Sequence, residues 1–87
     1  MKINREMIVR TIMDDTVLIP VGTAGEKFNG LITLNETALF LWQQLPHVQD
    51  EQQLADELLK EYEVDEDTAR KDIGEFLHTL RDVGVLD

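Results

Sequence analysis

The sequence predicts a single α+β domain in which a three-stranded antiparallel sheet precedes three helices. The first third of the 87 residues is rich in β-branched and alternating residues, a pattern that favours strands. From Asn35 onward, apolar residues recur at helical spacing instead, which predicts amphipathic helices. No linker, internal repeat or low-complexity segment divides the sequence, and its length suits one domain.

The first two strands are predicted at residues 7–13 and 16–21. Asp14 and Asp15 lie between them and predict a short hairpin turn, although Asp-Gly would be a stronger turn signal. Pro20 has no N–H to donate, so we expect it at the end of a strand or on an edge strand.

A third strand is predicted at residues 27–34, after a loop at residues 22–25. Its side chains alternate between two faces, with Phe28, Gly30, Ile32 and Leu34 on one face and Asn29, Leu31 and Thr33 on the other. Both faces carry apolar members, so we expect this strand to lie between the core and a second surface.

Each of the three helices is predicted from a capping residue followed by an apolar stripe. Asn35 caps the first helix, Asp50 with Gln53 forms a capping-box-like start of the second, and Asp65 caps the third. Gly84 is the expected glycine just beyond the last helix. The stripes are Ala38, Leu41, Trp42 and Leu45, then Leu54, Ala55, Leu58, Leu59 and Tyr62, then Ala69, Ile73, Phe76, Leu77 and Leu80.

The net charge of −10 is concentrated in one half of the sequence. Residues 1–34 are neutral overall, whereas residues 35–87 carry four basic and fourteen acidic side chains. Such a half repels a phosphate backbone, which makes nucleic acid an unfavourable partner. No apolar run is long enough to cross a bilayer and no signal-peptide pattern is present, so we expect a cytoplasmic protein.

The residue types that carry catalysis and metal binding are missing or badly spaced. The sequence has no cysteine and no serine, and His47 and His78 have no partner at ligand spacing. Asp65, Asp67 and Asp72 lie near one helix start, which favours carboxylates, and they do not complete a calcium loop. We therefore predict no catalytic residue, no metal and no cofactor.

Gly74 is unusual because it lies inside the third predicted helix, where glycine is unfavourable relative to alanine. Two explanations remain open: tight packing against another helix, or close approach by a partner. Its helical neighbours Arg70, Leu77, His78 and Arg81 form a mildly basic, partly apolar strip. For the two arginines, the alternative role is ion pairing with local acids such as Glu66 and Asp82.

Two stretches of the sequence resemble a known family. Residues 28–42, FNGLITLNETALFLW, are similar to the strand-to-helix signature of pyrroloquinoline quinone biosynthesis protein D (PqqD) and its relatives. Residues 72–86, DIGEFLHTLRDVGVL, are similar to the closing helix of that family and its Gly-apolar-apolar end. The resemblance implies a winged helix-turn-helix-like fold that serves as a non-catalytic recognition element for ribosomally made precursor peptides.

In that family the leader of the precursor adds as a strand to the third strand and packs beside the third helix. Carried onto this sequence, the peptide-binding residues are Lys27, Phe28, Asn29, Gly30, Leu31, Ile32 and Thr33 in the strand, and Arg70, Ile73, Gly74, Leu77, His78 and Arg81 in the helix. The implied partners are a precursor leader peptide and a maturation enzyme of the radical S-adenosylmethionine or another type. A homodimer stays open, and a winged-helix DNA-binding regulator is the alternative function.

Overall fold

The computed structural model describes residues 1–4, 6–21 and 31–86 and confirms the predicted α+β architecture. An antiparallel sheet of order β1-β2-β3 is followed by helices, in an arrangement that agrees with a winged helix-turn-helix. The elements are β1 (Met7–Ile12), β2 (Asp15–Pro20), β3 (Ile32–Leu34), α1 (Glu36–Gln44), a short 3-10 helix (Leu45–His47), α2 (Glu51–Glu61) and α3 (Glu66–Asp82).

The hairpin between β1 and β2 turns one residue earlier than predicted. Ile12 pairs with Asp15 across the two strands, so the turn consists of Met13 and Asp14. Met13 adopts a positive φ of 57°. A two-residue hairpin needs a positive φ at its first central position to match the twist of the strands, and this register assigns that position to Met13.

Within the described residues, the third strand is shorter than predicted. Its pairing with β2 runs from Thr16–Leu34 to Leu18–Ile32 and leaves Leu31 outside the strand. Residues 27–30 of the predicted strand lie outside the described residues.

All three predicted helix caps are confirmed. The side chains of Asn35, Asp50 and Asp65 accept hydrogen bonds from backbone N–H groups three residues later, at 2.8, 2.9 and 2.7 Å. Each cap satisfies an N–H that has no partner within the helix. Gln53 also accepts from the Gln49 N–H at 2.7 Å, which resembles a capping box shifted by one residue.

The end of α3 confirms the predicted glycine. Gly84 has a φ of 80°, a left-handed conformation that glycine adopts without the steric penalty of a Cβ. The N–H of Val85 donates to the Leu80 carbonyl at 2.9 Å, and the N–H of Gly84 donates to the Arg81 carbonyl at 3.1 Å. These two bonds form a Schellman motif, which turns the chain back onto the core.

The core lies between the Leu18 face of the sheet and the three helices. Leu18 and Leu34 are the sheet residues of a buried cluster that extends to Val85 and Leu86. Trp42 is half-buried and packs against this cluster, as expected of an anchor in α1. The buried helix members are Leu41, Leu45, Leu54, Ala55, Leu58, Ala69, Ile73, Phe76, Leu77 and Leu80, with Val48 after the 3-10 helix.

The two ends of the chain meet beside the core. Ile3 forms an antiparallel bridge with Leu86, and the Asn4 N–H donates to the Val85 carbonyl at 2.7 Å. The ammonium group of Met1 donates to the carbonyls of Leu45 and Val48. These contacts hold Met1 against the 3-10 helix. Within the described part of the chain, no helix is both long and apolar enough to span a membrane.

Candidate functional site

The sequence predicts a site formed by the third strand and the third helix. The structure describes Leu31, all of β3 and all of α3, whereas Lys27, Phe28, Asn29 and Gly30 lie outside the described residues. The strand part of the predicted site is therefore represented by Leu31, Ile32 and Thr33.

β3 is an edge strand of the described sheet. It pairs with β2 on one side, and no described strand pairs with its other side. Leu34 is buried in the core, Ile32 is half-buried and Thr33 is exposed. Leu31 precedes the strand and is 49% exposed although it is a large apolar residue. An edge with open N–H and C=O groups beside an exposed leucine is suited to pairing with an extended chain.

Two of the helix residues predicted to touch a peptide are core residues instead. Ile73 is 1% exposed and Leu77 is 0% exposed, and both belong to the buried cluster. The apolar stripe of α3 is covered by the rest of the domain, so neither side chain presents surface to a ligand. Both side chains face the core in the free protein, and their direct contact with a peptide stays a prediction.

The other four predicted helix residues lie together along one side of that stripe. Arg70, Gly74, His78 and Arg81 are separated by three or four positions, which places them on one side of an α-helix. We call these four residues the basic flank. Arg70, His78 and Arg81 are exposed and Gly74 is partly exposed. The opposite side of the stripe is acidic and contains the exposed residues Asp72, Glu75, Thr79 and Asp82.

Arg70 is held by hydrogen bonds within the chain. Its Nη2 donates to Glu66 Oε1 at 2.8 Å and to Gln52 Oε1 of α2 at 2.7 Å. The hydrogen bond and the charge of Glu66 raise the pKa of the Arg70 guanidinium. Local pairing with Glu66, the alternative role proposed for this arginine, is confirmed. A peptide group that contacts Arg70 must therefore replace or share these bonds.

Gly74 has open space where its side chain would be. A Cβ built at this position meets no heavy atom within 4 Å. Tight packing against another helix, one of the two explanations for this glycine, is therefore wrong. The missing side chain instead leaves a notch in the surface of α3 between Arg70 and His78, its neighbours one turn away.

A different surface lies beside the first half of α2. It is an open depression of about 340 Å³, lined by His47, Val48, Gln53, Asp56, Glu57 and Lys60. No described residues form a group of three or more histidine, aspartate or glutamate side chains suited to holding a metal ion. The depression is an alternative to the β3 edge as a binding surface.

Two solved structures of other proteins have a fold similar to that of this chain. A structure of TbiB1 in complex with the TbiA(beta) leader peptide has a TM-score of 0.73 and 25% sequence identity, covering 100% of this chain and 95% of that chain. A structure of lasso peptide synthetase B1 complexed with the leader peptide has a TM-score of 0.70 and 25% sequence identity. That similarity covers 97% of this chain and 93% of that chain. The search of curated proteins found no match.

The family described as coenzyme PQQ synthesis protein D (PqqD) matches residues 15–86. That match begins after β1 and includes β2, β3 and all three helices. It also includes residues 28–42 and 72–86, the two stretches that resemble PqqD. The chain belongs to the PqqD family.

Proposed function

We propose that this protein binds the leader of a ribosomally synthesised precursor peptide and presents it to a maturation enzyme. The observation that carries the proposal is likeness over nearly the whole chain to two proteins solved with their leader peptides bound. The open β3 edge supports the same function, because an added strand obtains its affinity from main-chain hydrogen bonds that require no particular sequence.

The proposed site has two parts. Residues 27–33 pair with the leader as a strand, and the basic flank of α3 meets leader side chains at alternate positions. Ile73 and Leu77 support the helix from the core. Selectivity then arises at Arg81, at His78 and in the notch at Gly74, because the main-chain ladder itself reads no side chains.

The proposed role is non-catalytic and cytoplasmic, and it uses no cofactor. The maturation enzyme is a radical S-adenosylmethionine protein or an enzyme of another type, and the proposed leader site works in the same way for either. A homodimer is not needed for this mode, since each chain carries its own β3 edge and its own basic flank.

DNA binding, the alternative function of a winged helix, is disfavoured by the surface of α3. A recognition helix neutralises phosphates with clustered lysine and arginine. Here the exposed acids Glu66, Asp67, Asp72, Glu75 and Asp82 outnumber the exposed bases Arg70, Lys71 and Arg81.

A backbone amide chemical-shift titration tests the proposal. The probe is the leader peptide encoded beside this gene, and a scrambled peptide of the same composition is the control. We expect shifts at residues 27–34 and along the basic flank, because strand addition changes the hydrogen bonding of the β3 amides. Shifts confined to the α2 depression around Asp56 and Lys60, or no shifts with the genuine leader, would contradict it.

A further inference from the structure

The positive charges of the helical half are concentrated on α3. Of the four basic side chains in residues 35–87, Arg70, Lys71 and Arg81 lie in α3 and Lys60 lies in α2. The same half contains fourteen acidic side chains. Two of the α3 cations, Arg70 and Arg81, belong to the basic flank, whereas the opposite side of the apolar stripe is acidic. This segregation gives α3 one side that attracts a carboxylate and one side that repels it.

Arg70 presents a guanidinium that is already held in one orientation. Glu66 Oε1 accepts from both Nε and Nη2 of Arg70, at 3.1 and 2.8 Å, and Gln52 Oε1 accepts from Nη2 at 2.7 Å. Among the described residues Nη1 has no acceptor, and 48% of the side chain is exposed. A carboxylate can therefore share this guanidinium through Nη1. Because the group is already fixed, its ordering adds little to the entropic cost of binding.

Gly74 leaves room for a peptide between the two arginines. No heavy atom lies within 4 Å of the position that its Cβ would take. Arg70 and Arg81 are separated by about 16 Å along the helix, at roughly 1.5 Å per residue. An extended peptide covers that distance in about five residues, and its side chains on one face recur at every second position. Two carboxylates on one face of a peptide that runs along the flank can therefore reach both arginines.

A neutral or basic peptide fits this flank less well than an acidic one. A neutral segment that covers an arginine removes water from the charge without supplying a carboxylate in its place, and this desolvation is unfavourable. A basic segment is attracted to the acidic surfaces of the helical half instead of to the flank. Those same surfaces repel the carboxylates of an acidic segment that binds in the wrong place, which favours the position on the flank.

We propose that Arg70 and Arg81 recognise carboxylates of the leader, so that the leader segment beside α3 is acidic. The proposal rests on the proposed function, which supplies the leader. Main-chain pairing at β3 provides affinity without reading side chains, and the two arginines determine which peptide binds and in which position. Because both arginines are exposed, their charges act mainly on the rate of association and make that rate sensitive to salt.

The test titrates the leader peptide encoded beside this gene into wild type, Arg70→Gln, Arg81→Gln and the double variant. Arg10→Gln is the matched control, because Arg10 is an exposed arginine of β1, at the edge of the described sheet opposite β3. It changes the net charge by the same amount as each flank variant. A second series of leader peptides carries Asn or Gln in place of each Asp or Glu. Urea denaturation verifies that every variant is folded.

We expect each single flank variant to weaken leader binding by about twofold to fivefold, as loss of an exposed ion pair does, and the double variant by about tenfold. The Arg10→Gln control keeps the wild-type affinity. Replacing the leader carboxylates by amides weakens binding to wild type but not to the double variant. This loss of coupling identifies a direct contact between the arginines and the carboxylates.

Three results overturn the proposal while leaving the proposed function intact. The first is a bound leader whose sequence has no acidic residue, or whose amide-substituted form binds wild type with full affinity. The second is an equal loss of affinity in Arg10→Gln and in the flank variants. The third is an amide-substituted leader that loses as much affinity for the double variant as for wild type. Failure of the leader to bind wild type would instead overturn the proposed function, and this inference with it.

Discussion

At the scale of single residues, Arg70 and Gly74 of the basic flank have different relations to the rest of the domain. Arg70 already bonds to Glu66 and Gln52, so it contributes to the local structure before any peptide binds. An exposed ion pair of this kind stabilises the fold only slightly. Gly74, in contrast, has open space over it and makes its helix less stable than an alanine would. A substitution at Gly74 is therefore expected to change the stability of the free protein and its affinity for the leader in opposite directions.

Gly74→Ala is therefore expected to stabilise the free protein and to weaken leader binding. The added Cβ meets nothing within 4 Å, so the free energy of unfolding rises by about 0.5–1 kcal/mol through helix propensity. A leader that lies in the notch collides with the same Cβ. Urea denaturation and calorimetric titration measure the two effects. Thr79→Ala, on the opposite side of α3, is the control that leaves affinity unchanged.

A destabilised Gly74→Ala variant would show that the notch is filled within the protein. Unchanged leader affinity would show that the peptide does not approach α3 at this turn. The two results are independent, because one concerns the free protein and the other concerns the complex.

At the scale of elements, the helices were predictable and the strands only partly so. A helix cap is a local signal, since Asn35, Asp50 and Asp65 act on N–H groups three residues away. Strand pairing depends on register between distant residues. The predicted hairpin turn therefore lies one residue too late, and the predicted third strand, residues 27–34, includes Leu31, which the structure leaves outside β3.

The site was predictable in part, for a related physical reason. Helical periodicity places Ile73 and Leu77 on the apolar stripe of α3, but it does not say which neighbours cover that stripe. Alternation along β1 likewise identifies its two faces without telling how far the sheet extends past the helices. The exposure of Ile12 and Met13 therefore became visible only in the assembled domain.

The cap of α3 makes a prediction about pH. The Thr68 N–H donates to Asp65 at 2.7 Å, and this bond lowers the pKa of the Asp65 carboxyl below its ordinary value of 3.8. The bonded carboxylate stabilises the fold above the pKa of the unfolded chain, and that contribution is lost as the pH falls through the lower folded pKa. Asp65→Asn keeps a capping oxygen but does not titrate.

We therefore expect wild type to be more stable than Asp65→Asn at neutral pH, with a difference that shrinks as the pH falls below about 4. Asp65→Ala, which has no capping oxygen, is the less stable variant at pH 7. Urea denaturation at several pH values measures the comparison. Parallel pH profiles for wild type and Asp65→Asn would show that this carboxylate makes no special contribution.

At the scale of the whole molecule, the proposed function brings two partners together on one small domain. An adaptor that holds both the leader and the maturation enzyme raises the effective concentration of one for the other. The acidic helical half, which accounts for the net charge of −10, disfavours the binding of nucleic acid. This charge distribution was fully readable from the sequence, because it depends on composition and not on packing.

The meeting of the two chain ends also has a consequence for how the domain folds. The bridge between Ile3 and Leu86 closes nearly the entire chain into a loop, whereas the β1–β2 hairpin and the α2–α3 pair join neighbouring segments. Closing a long loop costs more entropy than closing a short one. Local pairs therefore form first, and the junction of the ends forms after the folding barrier has been crossed.

Leu86→Ala tests that order of events. Leu86 is 4% exposed, so its truncation is expected to cost about 2–5 kcal/mol of stability. If the junction forms late, nearly all of this cost appears as faster unfolding, and the folding rate barely changes. Stopped-flow kinetics across a urea series separate the two rates, with Leu58→Ala in α2 as the variant expected to slow folding. The Ile3–Leu86 junction would then separate first when the domain unfolds. Its contacts would set the unfolding rate, and so the lifetime of the folded protein.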